Sequence, residues 1–288
     1  MAPEKLTARQ RMAERIEDLT AARQRMVERF EDLSIAKLVP SILTLLGLFS
    51  GATAIRFALT DDWRHAVVAI IAAMVFDMLD GRAARAFGAD TRFGAQLDSL
   101  VDLVSFGVAP GVVVFMWSLK GMGEAGWIAT LIFCACSAIR LARFNIQSAS
   151  ARDEGATQHN PYFTGLPMPA AAFLAVMPML LSFQIGDAHV RDPAVASAVI
   201  ILASALMVSR LPTPSIKYMH MPRRLRVVAF IAFCAFVALL INWPWATLTV
   251  GFALYAVGIL VTLFRHVQED DEEPGAEQDT PPPSGEVN

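Results

Sequence analysis

The sequence predicts an all-α integral membrane protein, and three observations carry that prediction. Hydrophobic residues make up 55% of the chain and charged residues only 18%, with a mean hydropathy of +0.47, a balance outside that of soluble domains. The apolar residues gather into about eight stretches that approach the roughly 20 residues needed to cross a bilayer. None of these stretches alternates with period two, so the backbone polar groups must be satisfied inside helices rather than in a barrel.

In chain order the expected spans are Leu38 to Leu59, His65 to Phe87, Phe93 to Trp117, Ala125 to Phe144, Pro167 to Phe183, Pro193 to Val208, Leu225 to Ile241 and Trp245 to Phe264. Pro167 and Pro169, with Gly165 ahead of them, mark a clean helix start, because proline is tolerated in the first turn. Basic residues follow alternate spans: Arg82, Arg85 and Arg92, then Arg140, Arg143 and Arg152, then Arg210, Lys217, Arg223, Arg224 and Arg226. The opposite loops offer Arg64, Lys120 and Arg191. The positive-inside rule places the basic loops and both termini in the cytoplasm, in a multi-pass cytoplasmic membrane protein whose basic face meets cytoplasmic solutes. Arg56 lies within the first span without an evident partner.

The two ends differ from the body. ARQRMAERIEDLT from Ala8 to Thr20 returns as ARQRMVERFEDLS from Ala22 to Ser34, a duplication offset by 14 residues. Met12, Ile16, Leu19, Met26, Phe30 and Leu33 then form a narrow apolar stripe on a charged helix, to be covered by the lipid headgroups or by a coiled-coil partner. The stretch from Gln268 to Asn288 is acidic and then Pro-rich, without apolar periodicity, and is expected to be disordered. The first residues are too charged for a cleavable signal. The cysteines, Cys134, Cys136 and Cys234, fall inside spans and form no metal-ligand pattern with the histidines.

Asp77, Asp80, Asp98 and Asp102 stand where a lipid-facing helix would carry none. Asp77, Asp80, Gly81, Ala84 and Arg85 share one helix face by their spacing, and Gly94, Asp98 and Asp102 share another. Antiparallel packing of the two helices would bring these faces together. Four carboxylates side by side in a low-dielectric site need cations, and hard oxygen ligands suit Mg²⁺, Mn²⁺ or Ca²⁺, as one or two ions. The small residues leave a cleft for a bound group. Two other readings remain: pairing of the acids with Arg82, Arg85 and Arg92, or an ion or proton pathway in a transporter. Neither accounts for the compact glycine-containing pattern.

The segment from Asp77 to Asp102, DMLDGRAARAFGADTRFGAQLDSLVD, fits D-x-x-D-G-x-x-A-R, eight residues, G-x-x-x-D-x-x-x-D at every fixed position and so resembles the CDP-alcohol phosphotransferase signature. The resemblance implies a six-helix catalytic core, usually dimeric, in which the four aspartates hold two metal ions and the CDP group lies in the adjacent cleft. Asp77, Asp80, Asp98 and Asp102 would be metal ligands, with Asp102 also the base. Asp77, Gly81, Ala84, Arg85, Gly94 and Thr44 would meet the CDP-lipid. Pro40 and Ser41 stand where members often show Pro-Asn ahead of such a threonine. Residues 38–220 would form the catalytic core and 221–266 two additional helices, between an N-terminal arm (1–37) and a tail (267–288).

The flanking blocks DLVSFGVAP, CSAIRLARFN, YFTGLPMPAAA and MVSRLPTPSIK are similar to those of the membrane-embedded phosphatidylserine synthases within that family. This implies CDP-diacylglycerol as donor and L-serine as acceptor, a homodimer in the bilayer and no nucleic-acid partner. Ser105, Arg140, Arg143 and Asn145 offer donors and acceptors matched to the carboxylate and ammonium of serine, although Arg140 and Arg143 also fit ordinary cytoplasmic-side charges. Glycerol 3-phosphate or inositol phosphate as acceptor, or an ether-linked donor, would use the same aspartates.

Overall fold

The computed structural model of the 288-residue chain describes residues 35–88, 91–153, 162–188, 190–209, 212–214 and 223–272. The duplicated arm up to residue 34, Lys217 and the Pro-rich end from residue 273 lie outside the described residues. The helices are α1 (Ile35–Leu59), α2 (Trp63–Phe87), α3 (Arg92–Asp102), α4 (Ala109–Trp117), α5 (Glu124–Asp153), α6 (Met168–Ile185), α7 (Pro193–Val208), α8 (Arg223–Asn242) and α9 (Pro244–Glu272). A π-helical stretch, Leu103–Val108, joins α3 to α4 without a break, so the third apolar segment is one long rod with a widened turn beginning immediately after Asp102. Wide turns of this kind recur at functional sites.

Four segments are long and apolar enough to cross a membrane, Leu38–Leu59, Phe93–Trp117, Glu124–Gln147 and Met168–Ile185, which makes this an integral membrane protein. Pro193–Val208, Ile231–Asn242 and Pro244–Gly258 are shorter apolar helices. Helix α2 matches α1 in length at 25 residues but carries Asp77, Asp80, Arg82 and Arg85 near one end.

The helix ends follow local chemistry. The Asp62 side chain caps α2 by accepting from the His65 amide and pairs with His65 Nδ1 at 2.7 Å, which holds the Asp62 carboxyl below its ordinary range. Thr91 caps α3 by accepting from the Gly94 amide at 2.9 Å. Asp192 caps α7 through the Ala194 amide at 2.8 Å. Gly165 takes φ +82° ahead of α6 and presses on the carbonyls of Met207 and Ser209, a place with no room for a side chain.

The fold is helical as expected, with one small addition: Tyr162–Thr164 (β1) pairs antiparallel with Pro212–Pro214 (β2), joining two loops that flank the core. One expectation is corrected. Helix α9 runs on to Glu272, so that Gln268–Glu272 are helical, consistent with the good propensity of Gln and Glu. Arg56 is exposed in the last turn of α1, where its charge complements the carbonyl end of the helix and its long stem can reach the interface.

The core is built from small residues that let helices close on one another. Ala54 and Ala58 of α1 meet Ala66, Ile70 and Ala73 of α2, and Ala171, Ala172, Ala175 and Val176 of α6 complete the cluster. Helix α1 is the hub, packed along α2 and also against α3, the π segment and α4. Helix α9 is fixed to α6 by the stacked Phe173–Phe252 pair at 4.9 Å, the Phe183–Trp245 edge contact at 4.9 Å and a 2.8 Å bond from Gln184 Nε2 to Thr249 Oγ1. At the end of the bundle away from the aspartates, Arg191 donates from Nε to the Trp117 carbonyl at 3.1 Å, lies over the rings of Trp63 and Trp117, and pairs with Asp187.

Candidate functional site

The carboxylates of Asp77, Asp98 and Asp102 converge, offering ligand atoms that all lie within 4.8 Å of one another. Asp77 comes from the second half of α2, and Asp98 and Asp102 from one face of α3, four residues apart. The expected antiparallel packing of these two helices is not what unites them. Direct contact between α2 and α3 is slight, and both lean on α1 instead, where Gly47 abuts Val101, Ala73 and Phe76. Through these contacts α1 positions the two faces so that Asp77, Asp98 and Asp102 converge.

Asp80 stands outside that triad. It is only 5% exposed, and it sits within electrostatic range of all three other aspartates. It turns toward Thr44 of α1, whose hydroxyl also lies 3.0 Å from the Pro40 carbonyl. Asp80 Oδ2 is buried with no hydrogen-bond partner.

Among the described residues, one other buried side-chain polar atom lacks a partner, Nε of Arg140 on α5. Arg140 is an electrostatic neighbour of Asp102 and of Tyr255 on α9. An unpaired acceptor and an unpaired donor therefore flank the same carboxylate cluster. A buried unsatisfied group costs on the order of 1–3 kcal/mol, and more when charged. Cations between the carboxylates and an anion beside Arg140 would relieve both, so the residues present fit a divalent metal and a phosphate or carboxylate together.

The glycines separate by what surrounds them. A Cβ at Gly81 would meet only Arg85 Nη1, at 3.9 Å, so the space over this turn of α2 is open and Arg85 reaches back along it. Ala84 and Arg85 continue that face, half-buried and exposed respectively. A Cβ at Gly94 would instead crowd Thr91 Oγ1 at 3.1 Å, which ties Gly94 to the cap of α3.

The four residues expected around serine do not act alike. Ser105 is 1% exposed, its hydroxyl donates to the Gly47 carbonyl at 3.2 Å, and it presses on Gly51, so it joins the π segment to α1. Arg143 donates from Nη1 to the Val208 carbonyl at 3.1 Å, closing the C-terminus of α7. Both side chains thus have structural partners. Arg140 faces the cluster, and the Asn145 side chain lies 3.1 Å from Ser99 Oγ, beside Asp98. Sequence reasoning missed Ser99 and Tyr255. The signal for Tyr255 was a lone polar-tipped aromatic in the apolar run LYAVGILV, and for Ser99 only its place beside Asp98.

A profile of the CDP-alcohol phosphatidyltransferase family matches residues 37–211. The chain is 33% identical over 219 residues, 76% of its length and 72% of the other's, to the CDP-diacylglycerol–serine O-phosphatidyltransferase of Mycobacterium leprae. It is 32% identical over 233 residues to the protein of the same description from Helicobacter pylori, covering 80% of this chain and 93% of that one. A Bacillus subtilis protein so described is 31% identical over 179 residues, 62% of this chain and 91% of the other. The matched span contains every element that supplies the carboxylates and ends before α8.

Proposed function

Because the chain belongs to the CDP-alcohol phosphatidyltransferase family, we propose that it transfers the phosphatidyl group of CDP-diacylglycerol to the hydroxyl of L-serine, giving phosphatidylserine and CMP. The observation that carries this reading is the triad Asp77, Asp98 and Asp102 flanked by two unpaired buried atoms, Asp80 Oδ2 and Arg140 Nε. The names of the relatives supply the acceptor.

Asp77, Asp80, Asp98 and Asp102 would hold two divalent cations, Mg²⁺ or Mn²⁺, which would neutralise the pyrophosphate and the departing CMP. The open turn at Gly81 and Ala84 admits the nucleotide, with Arg85 at a phosphate and Thr44 at the inner wall. Asp102 receives the proton of the serine hydroxyl as its oxygen bonds to the lipid-side phosphorus, and the bond from that phosphorus to the CMP oxygen breaks. Arg140, backed by Tyr255 and set between α5 and α9, holds the anionic group of the acceptor, and Asn145 stands near it. No covalent enzyme intermediate is required.

The same reading places the carboxylate end of the bundle at the cytoplasmic face of the cell membrane, on the side of Arg82, Arg85, Arg140 and Arg143. It assigns the chemistry to residues 38–220, treats 221–266 as a buttress on α6, and takes the functional unit to be a homodimer. In the full-length protein, Asp102→Asn should lower CMP release roughly 10²- to 10⁴-fold while CDP-diacylglycerol still binds. An active variant would remove Asp102 as the base.

A further inference from the structure

Away from the carboxylate cluster, an apolar groove of about 360 Å³ runs along the α1–α2 pair. Its walls repeat one spacing on both helices: Leu46, Phe49 and Thr53 on α1, and Val68, Ala72 and Phe76 on α2. Steps of three and four keep each set on a single helix face, so the groove runs along the helices instead of across them. Its floor is lowered by small residues, Ala69 and Ala72. Its lining is mostly apolar, with Ser50, Thr53 and His65 as the polar members, and the Thr53 hydroxyl is already bonded to the Phe49 carbonyl at 2.6 Å.

The two ends differ in a way that indicates the occupant. Phe76, at one end, adjoins Asp77 of the carboxylate triad, and the open turn at Gly81 lies just beyond it. At the other end, the Phe57 and His65 rings close together with centroids 5.3 Å apart, and His65 is held by Asp62. From residue 76 to residue 65 the helical rise of about 1.5 Å per residue gives roughly 16 Å. Half of a hydrocarbon core about 30 Å thick is roughly 15 Å, the depth of a single leaflet. An acyl chain whose phosphate is anchored at the aspartates would thus fill the groove and end against the ring pair.

We propose that this groove takes one acyl chain of the lipid donor and that the Phe57–His65 pair sets its length limit. The assignment rests on the proposed lipid-donor chemistry, and the test separates the two. Full-length protein in mixed micelles is irradiated with CDP-diacylglycerol bearing a diazirine at the end of one long acyl chain, and the labelled residues are identified. Serine-dependent CMP release is measured in the same preparation. Labelling concentrated near Phe57 and His65 is the expected result, and labelling elsewhere or spread evenly over the lipid-facing surface would overturn the assignment, whether or not CMP is released.

Absence of CMP release with labelling intact would count against the transferase reading alone. As a second measurement, Ala72→Phe, with Val68→Trp as a variant at an already exposed position, should raise KM for a long-chain donor roughly tenfold and leave a dioctanoyl donor unaffected. Equal KM values for both donors, or an equal loss with both, would reject the groove as the chain site.

Discussion

Arg140 shows how much one side chain can carry. Its Nε is buried without a partner, and its electrostatic neighbours come from opposite sides, Asp102 from α3 and Tyr255 from α9. A guanidinium so placed has donors to spare for an incoming carboxylate, and the tyrosine can steer its plane. Tyr255→Phe removes only the phenolic oxygen. The phenol lies within electrostatic range of Arg140 without a hydrogen bond to it, so KM for L-serine should rise only roughly twofold while KM for CDP-diacylglycerol and thermal stability stay unchanged. Kinetic assays varying each substrate decide it, and equal shifts for both substrates would mean that Tyr255 acts on the fold instead of on the acceptor side.

Among the elements, α1 organises the site although it contributes no carboxylate to the triad. It approaches the π segment so closely that a Cβ at Gly51 would fall 2.7 Å from Ser105 Oγ and 2.8 Å from Ser105 Cα. Backbone cannot yield there as a flexible side chain would. Gly51→Val should cost about 1–3 kcal/mol, read as a lower unfolding temperature in detergent, whereas Gly81→Ala, at a turn with open space, should leave that temperature unchanged. Equal behaviour of the two variants would contradict the reading of both glycines.

The sequence made much of this layer legible. Proline and charge punctuate the spans sharply, and Pro193–Val208 is helical over the residues expected. The aspartate spacing identified which residues share a face. It could not reveal that both helices lean on α1, because helical periodicity gives direction without naming a partner. The bond from Ser105 to the Gly47 carbonyl was hidden for a related reason, since a small hydroxyl residue suits a helix contact as well as a ligand. The β1–β2 pairing joins residues about fifty apart through three-residue strands, too short to leave a periodic trace.

At the scale of the whole molecule, lipid explains the architecture. Apolar surface is left exposed along α1, α5 and α8, for example at Phe49, Leu131 and Phe233, because the surrounding solvent is hydrocarbon. The four aspartates lie toward one end of the bundle, together with Arg82 and Arg85 of α2 and Arg140 of α5, and the opposite end is fastened by Arg191, Trp63 and Trp117. Helix α9 lies beyond the family match yet reaches the site through Tyr255. In the proposed reaction a lipid-borne phosphate and a water-borne alcohol would meet at this end of the bundle.

The most direct test of that account is CMP release by the purified full-length protein in detergent with CDP-diacylglycerol and Mg²⁺ or Mn²⁺, comparing L-serine, glycerol 3-phosphate, inositol phosphate and no acceptor. The account predicts release that depends on L-serine and stops when the metal is chelated. Release driven by a different alcohol would keep the carboxylate chemistry and contradict the acceptor, and no release with any acceptor from folded protein would contradict the transferase itself.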